Sequence, residues 1–247
     1  MIRLLVSVRS VSEALLAARG GADFIDLKEP GLGALGGLPV AVVREIVAAL
    51  RAEGIVLPVS ATIGDVAMDE LGTIRERVDA VGDCGVDYVK VGLTREPAAQ
   101  EVLAWLGSCG RAIVPVLIAD RGIDDGLVGS ALALRFPGLM VDTADKRAGS
   151  LLQLLDAATL QRFVRRGRDA GAMVGLAGAL RIADAPALAA LAPDFAGFRS
   201  AVCGGDRSGT LEPGRLRELT AAMLQAQAPI GRSSPSSNDR MRESSVR

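Results

Sequence analysis

Of the 28 basic residues in this 247-residue chain, 28 − 3 = 25 are arginines and only Lys28, Lys90 and Lys146 are lysines; histidine is absent. Without histidine, Ser-His-Asp and Cys-His catalysis and the usual imidazole metal centres are excluded, so acid–base chemistry falls to carboxylates, Lys, Tyr or Cys. A lysine amine can be desolvated, lose its proton near neutral pH and attack a carbonyl, which a guanidinium cannot do. Like-charged neighbours and an apolar wall both push a lysine pKa downwards. The three lysines are therefore the leading candidates for chemistry. Asp26 and Asp142 could orient the amines or relay protons. The structural alternative is that Lys28 and Lys90 form internal ion pairs with these two carboxylates. Asp65 in Ala61-Thr-Ile-Gly-Asp65 and Asp120 in Ile118-Ala-Asp-Arg121 are candidate substrate contacts or helix caps. Cys84, Cys109 and Cys203 show no CxxC spacing, which suggests neither a disulfide framework nor a zinc site, and no metal is expected.

Positioning these residues requires a scaffold. Short β-branched or apolar runs alternate with longer Ala- and Leu-rich segments of helical period, the signature of a parallel α/β sheet. The predicted strands are 3–8, 24–28, 56–62, 88–91, 112–118, 139–142, 173–177 and 196–200. Eight strand signals in a chain of this length predict a single (β/α)₈ TIM barrel. Ser10-Val-Ser-Glu13 has capping-box spacing before an Ala/Leu run that Gly20-Gly21 would stop. Further helices are predicted over 40–52, 75–84, 98–107, 152–170, 185–192 and 213–226, whereas Gly126 and Gly129 leave 122–136 as a short helix or a loop. Gly21-Ala-Asp-Phe, Gly85-Val-Asp-Tyr and Ala192-Pro-Asp-Phe form a weak internal repeat at three strand entrances. Residues 1–228 are read as the barrel domain, and the Ser/Arg/Pro-rich segment 229–247 as a disordered tail.

Lys28 and Lys90 lie at the C-terminal ends of the second and fourth strands and Lys146 shortly after the sixth, the face where barrels build their active sites. Aligning the repeats on Asp23 and Asp87 puts Lys90 level with Asp26 and one layer below Lys28, all pointing inward. Two glycine-bearing turns follow the seventh and eighth strands. Gly178 and the group Arg199, Gly204, Gly205, Asp206 and Arg207 are candidates for holding a phosphate there. No GxGxxG in the required context and no GxxxxGK[ST] is present, so dinucleotide and P-loop readings fail.

The composition, 49% apolar and 23% charged with a net charge of −1, is that of a soluble globular protein. It carries no basic footprint for nucleic acid and no apolar run of the roughly 20 residues a membrane span needs. The expected setting is cytoplasmic and the expected partner a small molecule. No surface stripe selects a dimer over a larger homo-oligomer.

Leu4-Leu-Val-Ser7, the run from Gly20 to Pro30, Ser60-Ala-Thr-Ile-Gly-Asp65, Tyr88-Val-Lys-Val-Gly-Leu93, Val141-Asp-Thr-Ala-Asp-Lys146 and Leu176-Ala-Gly178 together closely resemble the (5-formylfuran-3-yl)methyl phosphate synthase family. The resemblance spans roughly residues 2–225 and departs from the pattern at Leu117–Arg121, which lacks aromatic residues, and in the tail. It implies a lyase-type synthase that joins two molecules of glyceraldehyde 3-phosphate and releases phosphate and water, in one-carbon metabolism through methanofuran-type cofactors. It also implies that Lys28 is the Schiff-base lysine and Lys90 the proton acceptor, with Asp26, Asp142 and Lys146 in the same site and no cofactor. The residues alone leave open another Schiff-base aldolase, an isomerase using the lysines as acid and base, or a sugar-phosphate binding module.

Overall fold

Runs such as Arg3-Leu-Leu-Val-Ser-Val8, buried on both faces after their first residue, suit a parallel strand walled by helices on one side and barrel interior on the other. In the computed structural model, which describes residues 1–205 and 207–228, these runs form β1 (Arg3–Val8), β2 (Phe24–Leu27), β3 (Val59–Thr62), β4 (Tyr88–Leu93), β5 (Ile113–Ile118), β6 (Gly138–Asp142), β7 (Met173–Leu176) and β8 (Phe195–Phe198). Each pairs in parallel with the next and β8 pairs with β1, closing the expected (β/α)₈ barrel. The outer ring is α1 (Val11–Arg19), α2 (Val40–Ala52), α3 (Leu71–Gly82), α4 (Ala99–Ser108), α5 (Asp125–Ala133), α6 (Leu151–Leu154), α7 (Ala157–Asp169), α8 (Ala185–Leu191) and α9 (Pro213–Gln227). Among the described residues no helix is long and apolar enough to cross a membrane. The segment read as a tail, 229–247, lies outside the described residues.

Several boundaries differ from the sequence reading for local reasons. The stretch 122–136 does contain a helix, because Asp124 caps it by accepting from Gly126 N and Leu127 N despite the glycines. The single helix expected over 152–170 is two, broken by extended backbone at Leu155 and restarted by the N-cap Asp156. The third strand begins at Val59 rather than Val56, which is 87% exposed. Half of the expected capping box forms: Ser10 Oγ accepts from Glu13 N at 3.3 Å, while the Glu13 carboxylate accepts from Arg9 N instead of Ser10 N.

The internal repeat has a structural task. Asp23 accepts from Leu4 N at 2.7 Å, Asp87 from Val59 N at 2.7 Å and Asp194 from Val174 N at 2.8 Å. Each carboxylate thus satisfies the first free N–H of the preceding strand, at the end of the barrel remote from the lysines. The residue two before each aspartate takes positive φ, and Ala192 does so where the other two repeats use Gly21 and Gly85.

The register advances by about one residue per strand, so even-numbered strands share interior layers. Phe24, Tyr88, Gly138 and Phe195 form the lowest of these, Asp26, Lys90, Met140 and Gly197 the next, and Lys28, Gly92, Asp142 and Arg199 the one nearest the mouth. The lower end is sealed by an apolar cluster including Leu5, Phe24, Val114, Val116, Met140 and Phe195. Gly175 lacks a side chain because a Cβ there would fall 2.1 Å from the Phe195 ring.

Candidate active site

Two charged layers above an apolar floor form the base of a cavity that opens to solvent. Its lining includes the polar Ser7, Asp26, Lys28, Lys90, Asp142 and Lys146 and the apolar Leu5, Leu35, Met140, Ala177, Leu180 and Phe198. All three lysines and both inward aspartates therefore meet at the C-terminal mouth.

Their pairing alternates in sign. Lys90 Nζ donates to Asp26 Oδ1 at 2.8 Å, and the same carboxylate accepts from Ser7 Oγ at 2.8 Å and Ser60 Oγ at 2.7 Å. One layer up, Lys28 Nζ donates to Asp142 Oδ2 at 3.2 Å, while Lys146 Nζ donates to Asp142 Oδ1. Lys90 is 3% exposed, Asp26 and Asp142 each 2%, and Lys28 8%. The ion pairs anticipated as the structural alternative are thus present, inside the same cavity that would do chemistry. Three ammoniums against two carboxylates leave the cluster at 3 − 2 = +1, a charge suited to an anionic ligand.

Burial opposes ionisation of Asp26 and Asp142, yet the lysines outweigh it. Lys90 and Lys28 hold Asp26 below the ordinary carboxylate range, and Lys28 and Lys146 hold Asp142 there. Lys146 is pushed down by burial, with help from Lys28 and Arg207, although Asp142 works against the shift. Unfolding therefore takes up protons at the two carboxylates in acid. Their stabilising contribution is complete above the unfolded carboxyl value of about 3.9 and drains away as pH falls below it. The stability gap between wild type and Asp142→Asn in urea titrations should be widest above about pH 5 and shrink steadily towards about pH 2. A gap independent of pH would mean that Asp142 does not carry this charge.

Arg199 borders the cavity but is committed elsewhere. A guanidinium has five N–H donors, and here Nε donates to Arg207 O at 2.9 Å, Nη1 to Ser7 O and Glu13 Oε2, and Nη2 to Glu13 Oε1 and Gly209 O. No donor remains for a phosphate, so the expectation that Arg199 binds one is corrected: it clamps the loop after β8. Burial raises the Glu13 carboxyl pKa, but its pairing with Arg199 outweighs this and holds it low. Sequence reasoning missed Glu13 as a buried counter-ion because its spacing already explained it as a helix cap.

The remaining candidates divide similarly. Gly178, at φ +118, lines the cavity, and the N–H groups of Ala179 and Leu180 have no hydrogen-bond partner among the described residues. Arg207 also lines it and donates from Nη2 to Gly33 O at 2.7 Å. Gly204 and Gly205 lie outside the cavity; Gly204 N donates to Thr210 O, turning the loop back on itself. Asp65 lies outside it too, accepting from Leu35 N at 3.1 Å. Asp120 accepts from Ala144 N and Asp145 N, bracing the loop that carries Lys146. Neither is a helix cap. Asp206 lies outside the described residues. Among the described residues no cluster of His, Cys, Asp or Glu side chains could hold a metal ion.

Comparison with known proteins shows the family. A family model described as 4-HFC-P synthase matches residues 4–220. A Methylorubrum extorquens protein is 40% identical over 225 residues, 90% of this chain and 91% of that one. The (5-formylfuran-3-yl)methyl phosphate synthase of Methanopyrus kandleri is 36% identical over 237 residues, 90% of this chain and 98% of its own. Among solved structures, phosphoribosyl anthranilate isomerase from Thermotoga maritima shares the fold alone, with a TM-score of 0.65 at 15% identity, covering 91% of this chain and all of that one. With a match that runs from the second residue of β1 into α9, as the sequence motifs implied, the chain is an enzyme that belongs to the 4-HFC-P synthase family.

Proposed function

We propose that this enzyme joins two molecules of glyceraldehyde 3-phosphate into (5-formylfuran-3-yl)methyl phosphate, through a Schiff base on Lys28, for methanofuran-type cofactor biosynthesis. The observation that carries the reading is the placement of Lys28 and Lys90 in successive layers of one cavity, Lys90 on Asp26 and Lys28 on the Asp142 carboxylate that Lys146 also holds. Relatives named for this product support it further.

The product's connectivity assigns the steps. Two triose phosphates, C₆H₁₄O₁₂P₂ in total, give C₆H₇O₆P, one H₃PO₄ and two H₂O. One triose keeps its phosphate as the phosphomethyl group; the other loses it, and its aldehyde becomes the formyl group. The new carbon–carbon bond joins the carbon that lost phosphate to the ketone carbon of the first triose, so one molecule must first isomerise to the ketone. Lys28 Nζ condenses with that ketone, releasing the first water and leaving an iminium as acceptor. On the second triose, removal of the proton from C2 and expulsion of phosphate from C3 give a three-carbon enol whose terminal carbon attacks the iminium. A hydroxyl of the first triose closes the ring, the second water leaves, and expulsion of Lys28 restores the amine. Lys90 is the proton acceptor, with Asp26 as its partner. Lys146, biased by burial towards the neutral amine, shares Asp142 with Lys28. Ala179 N, Leu180 N and Arg207 hold the retained phosphate.

The test is borohydride reduction in the presence of glyceraldehyde 3-phosphate, followed by intact mass and peptide mapping, alongside detection of the furan aldehyde by its near-ultraviolet absorbance. The expected result is a substrate-derived adduct on Lys28 and a furan product. Active enzyme with no adduct on any lysine would instead favour acid–base isomerase chemistry, and an adduct without furan another Schiff-base aldolase.

A further inference from the structure

The mouth layer has an unoccupied corner in sequence terms, because Gly92 stands where a side chain would lie between Lys28 and Asp142. In space that corner is filled. Leu35, from the segment between β2 and α2, reaches into the barrel, and a Cβ on Gly92 would lie 2.7 Å from Leu35 Cδ1. Leu35 is 3% exposed and lines the cavity beside Lys28 and Lys90. Its position is fixed from several directions: Leu35 N donates to Asp65 Oδ1, Glu29 N donates to Gly36 O at 2.8 Å, and Thr62 Oγ1 donates to Gly36 O at 3.0 Å. Arg207 holds the same segment at Gly33 O. Gly33 takes φ +108, and a Cβ there would fall 1.9 Å from Asp65 Oδ2, so only glycine lets the chain pass this anchor. Three hydrogen-bonding loops therefore converge on delivering one leucine to the reacting amines.

We propose that Leu35 is a positioning residue that forms the dry wall of the reaction chamber, shielding Lys28 and Lys90 from water and retaining the phosphate-free enol until it bonds. The second role rests on the proposed function. There the nucleophile is bound to no lysine once the C3–O bond has broken and the electron pair has left with phosphate. Enol that escapes tautomerises to methylglyoxal, and the balance of the leak is C₃H₇O₆P → C₃H₄O₂ + H₃PO₄. A breach in the wall thus converts synthesis into elimination.

Two measurements on folded wild type, Leu35→Ala and Leu35→Met test this, with circular dichroism and thermal midpoints as the folding check. The first is the rate at which formaldehyde and a borane reductant methylate each lysine, followed by peptide mapping. Leu35→Ala should raise the rates at Lys28 and Lys90 about tenfold relative to the N-terminal amine, and Leu35→Met, which refills the volume, should return them towards wild type. The second is the ratio of methylglyoxal to furan product, expected to rise about tenfold in Leu35→Ala and to fall back in Leu35→Met. Unchanged lysine reactivity in a folded Leu35→Ala protein would overturn the wall, and exposed lysines with an unchanged product ratio would overturn retention of the enol. Should wild type make no furan while Leu35→Ala still exposes the lysines, the proposed reaction fails and the wall stands.

Discussion

Lys28→Arg is expected to lower furan formation by roughly 10⁴-fold or more while leaving the barrel folded. The substitution separates charge from nucleophilicity. A guanidinium keeps the positive charge beside Asp142, now 3.2 Å from Lys28 Nζ, and can donate to the same carboxylate oxygen. It cannot lose its proton to form an iminium, so the covalent step disappears although the local electrostatics survive. The borohydride adduct should vanish with the activity, and the thermal midpoint should move by only a few degrees, roughly what 1–2 kcal/mol produces in a domain of this size. Lys90→Gln gives the complementary result. It removes the proposed proton acceptor from the layer below but leaves Lys28 in place, so turnover should fall while the adduct on Lys28 can still be trapped. Turnover within tenfold of wild type in a folded Lys28→Arg protein would exclude the Schiff base.

What was legible in the sequence follows from the range of the interactions involved. The strands were readable because each is a short apolar run whose burial depends on its own residues, and β1 fell where expected. The lysines were readable through substitution logic, since a chain that otherwise uses arginine retains lysine at Lys28, Lys90 and Lys146. The repeat of Asp23 and Asp87 also gave the correct relative depth of Lys28 and Lys90 in the barrel. The saturation of Arg199 was hidden, because its carboxylate partner lies 186 positions away. So was Leu35, whose segment reads as a glycine-rich turn and gains meaning only against the missing side chain of Gly92. Asp65 and Asp120 sit after strands, where ligands, caps and loop braces look alike in sequence. Only their acceptance of Leu35 N, Ala144 N and Asp145 N separates these roles.

The second large effect is expected from an ion pair whose arginine borders the same cavity. Glu13→Gln should destabilise the fold by about 3–5 kcal/mol, because it leaves the Arg199 guanidinium buried without its countercharge. Both side chains are 8% exposed, and the carboxylate meets the guanidinium at 2.6 and 3.2 Å. Glu13 also accepts from Arg9 N and Leu211 N, so its charge ties α1 to the loop beyond β8. Arg199→Met should cost a comparable amount. The double variant should be far more stable than the sum of the two losses implies, because neither buried charge then remains unpaired. Additive losses would show that the pair is not a coupled unit. The kinetic consequence distinguishes a clamp from a phosphate ligand. An arginine that touched phosphate would raise KM without a matching loss of stability, whereas here binding should weaken only as far as loosening Arg199 disturbs its neighbours. Its Nε holds Arg207 O, and Arg207 in turn holds Gly33 O in the segment that delivers Leu35. A defect at Glu13 should therefore reach the cavity as poorer phosphate retention and a higher methylglyoxal fraction, with the Lys28 adduct still forming.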